Sequence, residues 1–416
     1  MCIFCFLEKQ NQAILREKSQ IATDRFEHCL KFYKKVYING YKKSLSSPIC
    51  EKYKKKEFEG TFEIDKEKIK QRDLMKNIDL NEIGNVFDIF EDAYIAWLNN
   101  NFIGARKKID EFLTANNLFK TVHLKNKLMF RARISENKLS HWDMFHIPFN
   151  KRFLIKNQRY SLVGRPMLYL GFSPKYVLEE IGYDPENRNC FISAFYLKES
   201  DDLKVCDFRY KFLGKDEQIA DKILLEEEIN DDDLKKILKK ELFISIISSI
   251  CSFNKHSLSN NGFCEEYVLP QTLSEIINGK EEYDGLLYTS TKSKENDNAD
   301  SFLDANAVIF TKYDIDKIEN VTYVYDKELY NKFNITTAKN IYEFKRNIKN
   351  YSNFLQDINE FKNDSEIRLN SILTKELGNI DSKMDREDDI AYNIYVSVLY
   401  EMIVNSVYKE GEEKNE

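Results

Sequence analysis

The sequence predicts an α+β protein in which a central α+β domain is flanked by helical regions. Its 416 residues contain only 13 Gly and 6 Pro, under half of the roughly 12% share found in an average chain, which favours helices over turn-rich β architecture. Five of the six prolines and seven of the 13 glycines lie between Pro148 and Gly285. At roughly 150 residues per domain, we expect a helical region at 1–120, an α+β domain at 121–325 and a helical region at 326–416.

The N-terminal region has the apolar spacing of helices. From Met1 to about Leu118 the chain is rich in lysine, and apolar residues from Ile78 to Phe90 recur mostly three or four positions apart, which places them on one helix face. From about Lys127 the pattern changes to short segments rich in β-branched and aromatic residues, separated by Gly and Pro, which is typical of strands. These predicted strands are Leu128–Ile134, Met167–Gly171, Cys190–Leu197 and Leu203–Phe208.

The second half of the central domain is predicted to combine two helices with further strands. Asp231 to Asp233 indicate the start of a helix that continues to Ile250, because carboxylates favour a helix N-terminus. A second helix is predicted over Thr272–Asn278. The remaining predicted strands are Gly285–Ser290, Ala307–Thr311 and Val321–Tyr325.

The C-terminal region returns to a helical pattern from about Asp326. Apolar residues recur every four positions from Ile390 to Met402, which is typical of one face of a helix.

Composition and charge exclude several classes of protein. A net charge of −6 argues against a protein that coats nucleic acid or an acidic membrane, and a hydrophobic content of 42% excludes global disorder. Eight cysteines are too few for a disulfide scaffold, and the N-terminus lacks a signal-peptide pattern. The longest apolar run, Leu242 to Phe253, is well short of the roughly 20 residues that cross a bilayer. We therefore expect a cytoplasmic protein without a membrane partner.

The segment from Phe145 to Gly182 contains the residues best suited to chemistry. It has an arginine, Arg159, followed by a Gly-Pro turn and a strand that contains Tyr169. Ser173 and Pro174 then form a helix start signal, so that Glu180 lies about two turns into the next helix.

An arginine, a tyrosine and a glutamate suit the cleavage of the bond between ribose and a positively charged nicotinamide. That reaction creates an oxocarbenium-like centre, which a carboxylate stabilises, as it does in glycoside cleavage. A guanidinium binds pyrophosphate with two hydrogen bonds, and a tyrosine ring packs on nicotinamide or its ribose.

The ordered pattern of these residues resembles the RES domain. Arg159 is followed by Gly164-x-Pro166, by Leu168-Tyr169-Leu170-Gly171-x-Ser173 and by Glu180. Upstream, Met129-Phe130-Arg131-Ala132-Arg133 resembles the first strand of that domain. Downstream, Tyr267-Val268-Leu269-Pro270-Gln271 and Tyr283-Asp284-Gly285-Leu286-Leu287-Tyr288-Thr289-Ser290 resemble its closing helix and its serine-bearing strand. The resemblance covers about Lys127 to Tyr325.

This resemblance implies a fold similar to that of ADP-ribosyltransferases and an activity that consumes NAD. Members of the family look like toxins that destroy NAD by hydrolysis or phosphorolysis, or that transfer ADP-ribose to a protein. By the same resemblance Glu180 is the key carboxylate, Arg159 and Tyr169 bind the dinucleotide, Arg131 grips a phosphate and Ser290 lines the pocket.

Some assignments remain open between neighbouring residues. Arg131 and Arg133 lie on the same strand face, and Glu179 competes with Glu180. Tyr160 and Ser161 directly follow Arg159, so both are candidate ligand contacts; the alternative is that they pack or cap a turn.

His146 is a further candidate, because a histidine can hydrogen-bond a ribose or phosphate, and a structural role is the alternative. The sequence has no Gly-rich phosphate loop of the Walker or dinucleotide type, so that NAD is expected as substrate rather than as redox cofactor.

The chemistry requires no metal, but one zinc site is conceivable. Cys2 and Cys5 form a C-x-x-C pair, with His28, Cys29 and Cys50 as candidate partners. The spacing is not that of a compact zinc knuckle. The other four cysteines are expected to be buried small hydrophobes.

Three functions therefore stay open. The first is NAD depletion by an anti-phage effector or toxin, which the flanking helices restrain by occlusion, by homo-oligomer formation or by binding an antitoxin or sensor protein. The second is ADP-ribosyl transfer to a protein. The third is a non-catalytic nucleic-acid- or protein-binding module that uses the lysines and aromatic residues from Lys31 to Lys56.

Overall fold

The computed structural model describes residues 1–56, 62–64, 66–184, 189–198, 200–210, 230–255, 263–292, 304–314 and 324–341. Within these residues the chain is a mixed α+β protein, as predicted. The α-helices are α1 (Ile3–Phe6), α2 (Lys9–Ala22), α3 (Phe26–Leu45), α4 (Lys66–Lys76), α5 (Leu80–Leu98), α6 (Phe102–Ala115), α7 (His141–Met144), α8 (Pro174–Glu180), α9 (Asp231–Ile250), α10 (Val268–Asn278) and α11 (Lys327–Lys332). The strands are β1 (Lys54–Lys56), β2 (Phe62–Ile64), β3 (Thr121–His123), β4 (Met129–Ile134), β5 (Met167–Gly171), β6 (Cys190–Leu197), β7 (Lys204–Asp207), β8 (Gly285–Thr289), β9 (Ala305–Phe310), β10 (Phe333–Ile335) and β11 (Lys339–Asn340).

The predicted strands of the central region are confirmed to within two residues. Strands β4, β5, β6, β7, β8 and β9 all occur where alternating or β-branched runs predicted them. Helix α9 begins at Asp231, and Asn230 caps it by accepting a hydrogen bond from the backbone N–H of Asp233 at 2.9 Å. Helix α10 begins at Val268, four residues earlier than predicted.

Two short strand pairs depart from the predicted helical flanks. Strands β1 and β2 pair antiparallel within the N-terminal region. After Asp326, the single short helix α11 is followed by β10 and β11, which both pair with β6. The physical reason is packing of Phe333, whose ring meets that of Phe195 edge-on at 5.8 Å. The predicted helix at 390–402 and most of the predicted strand at 321–325 lie outside the described residues.

The chain divides into two compact units, each of which draws on several stretches of sequence. Unit 1 contains residues 1–122, 156–163 and 206–301; unit 2 contains residues 123–155, 164–205 and 302–416. The first change of unit follows Val122. Two of these boundaries lie within strands, one in β3 after Val122 and one in β7 after Val205.

The core of unit 1 is rich in aromatic residues. Tyr33, Tyr37 and Tyr41 recur every four residues on α3 and are almost completely buried, so that one face of this helix is a tyrosine stripe. The ring of Phe6 packs edge-on against Tyr37 at 5.3 Å. A Cβ atom at Gly40 would lie 2.4 Å from Cε2 of Phe6, so that glycine is needed for α1 to approach α3 this closely.

Unit 2 is built around an antiparallel sheet. Its strands lie in the order β10-β6-β4-β5-β9, and β11 also pairs with β6. Helix α8 packs on one face of β4, where apolar residues from α8, β4 and β6 form a continuous core. The buried residues of this core are Leu128, Phe130, Ala132, Val177, Leu178, Cys190, Ile192, Ala194 and Ile341. The packing fixes the position of α8, and therefore of Glu180 at its end, relative to the sheet.

Candidate active site

The eight predicted site residues are divided equally between the two units. Residues 131, 146, 169 and 180 belong to unit 2, and residues 159, 160, 161 and 290 belong to unit 1.

Arg131 lies on β4, directly opposite Ser193 of β6 in the antiparallel register. Both Nη1 of Arg131 and Oγ of Ser193 are buried, and neither atom has a hydrogen-bond partner among the described residues. Burial lowers the pKa of Arg131, the charge of Arg133 lowers it further, and Tyr169 opposes the shift. Unsatisfied buried donors are rare in proteins, so this pair is a specific feature of unit 2.

The two candidate arginines of β4 differ in their bonding. Nη1 of Arg133 donates a hydrogen bond to the backbone carbonyl of Asp143, the third residue of α7. Arg133 therefore holds α7 to the strand, whereas the Nη1 donor of Arg131 stays available for an acceptor. The geometry favours Arg131 as the phosphate-binding residue, an assignment that remains a prediction.

Glu180 is the last residue of α8. This helix begins with Ser173 at the N-cap and Pro174 at its first position, as the sequence predicted. Oε1 of Glu180 accepts a hydrogen bond from Nδ2 of Asn306 on β9 at 3.0 Å, and its side chain is partly buried. The neighbouring Glu179 is exposed. Glu180 is held by an amide and partly shielded from water, so it is a better candidate than Glu179 for a fixed electrostatic role.

Tyr169 lies on β5, opposite Val308 of β9, and is partly buried. It lies close enough to Arg131 to act on the pKa of that guanidinium. Tyr169 therefore acts on Arg131 electrostatically. Successive residues of a strand alternate between the two faces of a sheet, and Phe130 packs on α8, so Arg131 lies on the face opposite to α8. Glu180, bonded to Asn306, lies on the α8 face.

His146 has both ring nitrogens occupied. Nδ1 donates to the backbone carbonyl of Ile147 at 2.8 Å, and Nε2 accepts from the backbone N–H of Asp326 at 2.9 Å. Burial lowers the pKa of His146 to about 4, and the charge of Arg131 acts in the same direction. These bonds match the structural alternative that the sequence left open, and a ligand-binding role remains an untested prediction.

In unit 1, Arg159 is bonded to the end of α9. Its Nη1 atom donates to the backbone carbonyls of Cys251 at 2.8 Å and Phe253 at 2.9 Å. The guanidinium also lies over the ring of Tyr267, 5.0 Å from the ring centroid. These contacts give Arg159 a structural task, which is to cap the carboxyl end of a helix.

Tyr160 and Ser161 pack inside the same unit. Tyr160 is buried, with its ring centroid 4.4 Å from that of Tyr288. Ser161 donates from Oγ to Oε1 of Gln158 at 2.8 Å. Gln271 of α10 fixes this loop by donating from Nε2 to the backbone carbonyls of Gln158 and Ser161. Gln271 belongs to the closing-helix motif of the sequence, but that motif does not indicate these contacts.

Ser290 borders a cavity of about 480 Å³ in unit 1. Among the described residues that line this cavity, three are cationic, Lys9, Arg16 and Lys292, and one, Glu17, is anionic. Arg16 is buried, and desolvation lowers the pKa of its guanidinium. The cavity therefore suits an anionic ligand. The sequence motif predicts Ser290 at a pocket but does not indicate the three cations, because two of them lie on helix α2, far from the motif.

In the lysine-rich stretch of the N-terminal region Phe32 is exposed, but three tyrosine rings are not available to a partner. Tyr33, Tyr37 and Tyr41 are core residues, so they cannot stack on nucleic-acid bases in this structure. Lys31 and Lys34 form ion pairs with Glu91 and Asp88 of α5. Among the described residues, no helix is both long and apolar enough to span a membrane.

A comparison with curated proteins finds a relative in Bacillus subtilis (strain 168) that is described as "Putative toxin YopC". The two chains are 33% identical over 222 residues, which are 51% of this chain and 48% of the relative. The match therefore spans about half the length of the curated relative. No protein-family model matches the chain, and no solved structure matches it significantly.

Proposed function

We propose that this chain is a toxin that consumes NAD by cleaving the bond between nicotinamide and ribose. Support comes from the resemblance of residues 127–325 to the RES domain and from the relative described as a toxin. The observation that carries the proposal is the buried Nη1 donor of Arg131, which lacks a hydrogen-bond partner among the described residues.

A pyrophosphate would supply what Arg131 lacks. Leaving a buried donor unsatisfied costs about 1–3 kcal/mol, and more when the group is charged. A phosphate oxygen beside Nη1 would remove that cost and would also neutralise the partly buried charge of Arg131. Oγ of Ser193, opposite Arg131 in the register, would donate to the same phosphate.

Glu180 has a separate role in the proposal, which is at the ribose. As the C1′–N bond of NAD breaks, the electron pair leaves with neutral nicotinamide and positive charge develops on the ribose. The ionised carboxylate of Glu180, oriented by Asn306, would stabilise that charge. Water adds at C1′ and releases a proton, which gives ADP-ribose; phosphate or a protein side chain could replace water as acceptor.

The test is to express the wild-type protein, Glu180→Gln and Glu179→Gln at matched levels and to follow cellular NAD. We expect rapid NAD loss with the wild type and with Glu179→Gln, and stable NAD with Glu180→Gln. Equal NAD loss in all three would refute the role of Glu180, and stable NAD with folded wild type would refute the whole proposal.

Product analysis separates the possible acceptors. Free nicotinamide with ADP-ribose identifies hydrolysis, and ADP-ribose carrying an added phosphate identifies phosphorolysis. A mass increment of ADP-ribose on a protein identifies transfer.

A further inference from the structure

Three cysteines that are far apart in the sequence meet in unit 1. Sγ of Cys5 lies 3.6 Å from Sγ of Cys2 and 3.4 Å from Sγ of Cys50. All three sulfur atoms lie within 4.8 Å of one another. Cys2 is fully buried, and the other two are partly buried.

The sulfur separations suit a metal ion better than a disulfide. Four thiolates around zinc at a Zn–S distance of about 2.3 Å are separated by about 3.8 Å in a regular tetrahedron. The observed distances of 3.6 and 3.4 Å need an expansion of only a few tenths of an ångström. A disulfide of about 2.05 Å would need a much larger contraction, and it would leave the third sulfur out.

The backbone around these cysteines is already fixed. Cys2 precedes α1, and its carbonyl accepts from the backbone N–H of Phe6 at 2.9 Å. The carbonyl of Cys5 accepts from Nδ2 of Asn11 at 2.7 Å, and that of Cys50 accepts from the backbone N–H of Tyr53 at 3.0 Å. Because each carbonyl is bonded locally, little ordering remains for a metal to impose.

We propose that Cys2, Cys5 and Cys50 bind one zinc ion through three thiolates, with a water molecule as fourth ligand. Binding releases the thiol protons and ties the start of the chain to the residues that follow α3. Of the ligands considered from the sequence, Cys29 takes no part, because its Sγ donates to the carbonyl of Thr23 at 3.3 Å. The site is independent of the NAD proposal, since its residues are not among the predicted catalytic ones.

The first test measures the zinc content of full-length protein purified under reducing conditions, and cobalt binding after zinc removal. We expect about one zinc per chain and a sulfur-to-cobalt charge-transfer absorption. Metal-free wild-type protein that also binds no cobalt would overturn the proposal. So would a Cys5–Cys50 disulfide whose reduction does not create a metal site.

Variants separate loss of a ligand from loss of folding. Cys50→Ala should lose zinc, whereas Cys50→His should retain it, because imidazole is also a zinc ligand. Cys29→Ala, a cysteine of the same unit outside the cluster, is the matched control and should keep its zinc. Equal zinc content in Cys50→Ala and wild type would contradict the assignment.

Discussion

Asn306 on β9 holds the carboxylate of Glu180 at the end of α8 through a hydrogen bond of 3.0 Å. Asn306 also lies opposite Gly171 in the register of β5 and β9. A Cβ atom at Gly171 would lie 2.4 Å from Cγ2 of Val177 and 2.9 Å from Oδ1 of Asn306. The absence of a side chain at Gly171 therefore allows both α8 and the Asn306 amide to approach β5. As a result, the Glu180 carboxylate is fixed by the sheet as well as by its own helix.

The first prediction concerns the charge beside Glu180. Asn306→Asp places a second carboxylate at hydrogen-bond distance, and two adjacent carboxylates resist ionising together. If ionised Glu180 is required, NAD consumption at pH 7 should fall about tenfold or more. The acidic limb of the pH–rate profile should move to higher pH.

Asn137→Asp adds the same charge at an exposed position of unit 2 and should leave the profile unchanged. A profile of Asn306→Asp that coincides with that of the wild type would show that Glu180 does not act as a carboxylate in the reaction.

The second prediction is that replacing Arg131 raises the stability of the protein but weakens NAD binding. Arg131→Met removes a desolvated charge for which the described residues provide no salt bridge, so the free energy of unfolding should rise by about 1 kcal/mol. NAD binding should weaken by about tenfold to a hundredfold, because one or two charged hydrogen bonds to phosphate are lost.

Arg133→Met is the matched control on the same strand. It loses the bond to the carbonyl of Asp143, so it should lower the free energy of unfolding with little effect on NAD affinity. Urea unfolding measures the free energy of unfolding, and calorimetric titration measures the NAD affinity. Arg131→Met with unchanged NAD affinity would remove the observation on which the proposed function depends.

Secondary-structure elements were predictable from the sequence where they are long enough to have a characteristic residue pattern. Strands β4, β5 and β6 were located to within one residue, because each is a run enriched in β-branched and aromatic residues or alternating in polarity. Strands β10 and β11 contain three and two residues, which is too short for either signal. Their pairing with β6 depends on packing around Phe333 that only the folded chain reveals.

The candidate site was predictable in part for a similar reason. A motif indicated Arg159, but its bonds to the carbonyls of Cys251 and Phe253 join positions more than 90 residues apart. Asn306 and Ser193 are single polar residues in apolar strands, and neither has a spacing that marks it. Their relation to Glu180 and Arg131 depends on strand register, which the sequence does not specify by itself.

The third prediction concerns pH and His146. Its folded-state pKa of about 4 lies below the value of about 6.5 expected in the unfolded chain. Between these values the unfolded state binds more protons, so stability is fully present above pH 6.5 and falls as the pH decreases toward 4. The expected loss is roughly 2 to 3 kcal/mol.

The measurement is urea unfolding at pH 7 and pH 5 for the wild type and two variants. His146→Gln should have lower stability at pH 7 but a smaller decrease on acidification. His141→Gln, an exposed histidine of unit 2, should keep the decrease seen in the wild type. If His146→Gln keeps it too, another group is responsible for the acid sensitivity.

The fourth prediction concerns the buried ion pair of Asp207 and Arg209 in unit 1. Nε and Nη2 of Arg209 donate to the two carboxylate oxygens of Asp207, each at 2.8 Å, and both side chains are at most 1% exposed. Removing one partner takes the ion pair away from the other buried charge, so Asp207→Asn or Arg209→Met should each cost about 3–5 kcal/mol. The double variant should cost less than the sum, because the two single variants lose the same mutual ion pair. A double-mutant cycle from urea unfolding tests this directly: strictly additive single effects would mean that the two charges do not stabilise each other, and that the neighbouring backbone satisfies each of them separately.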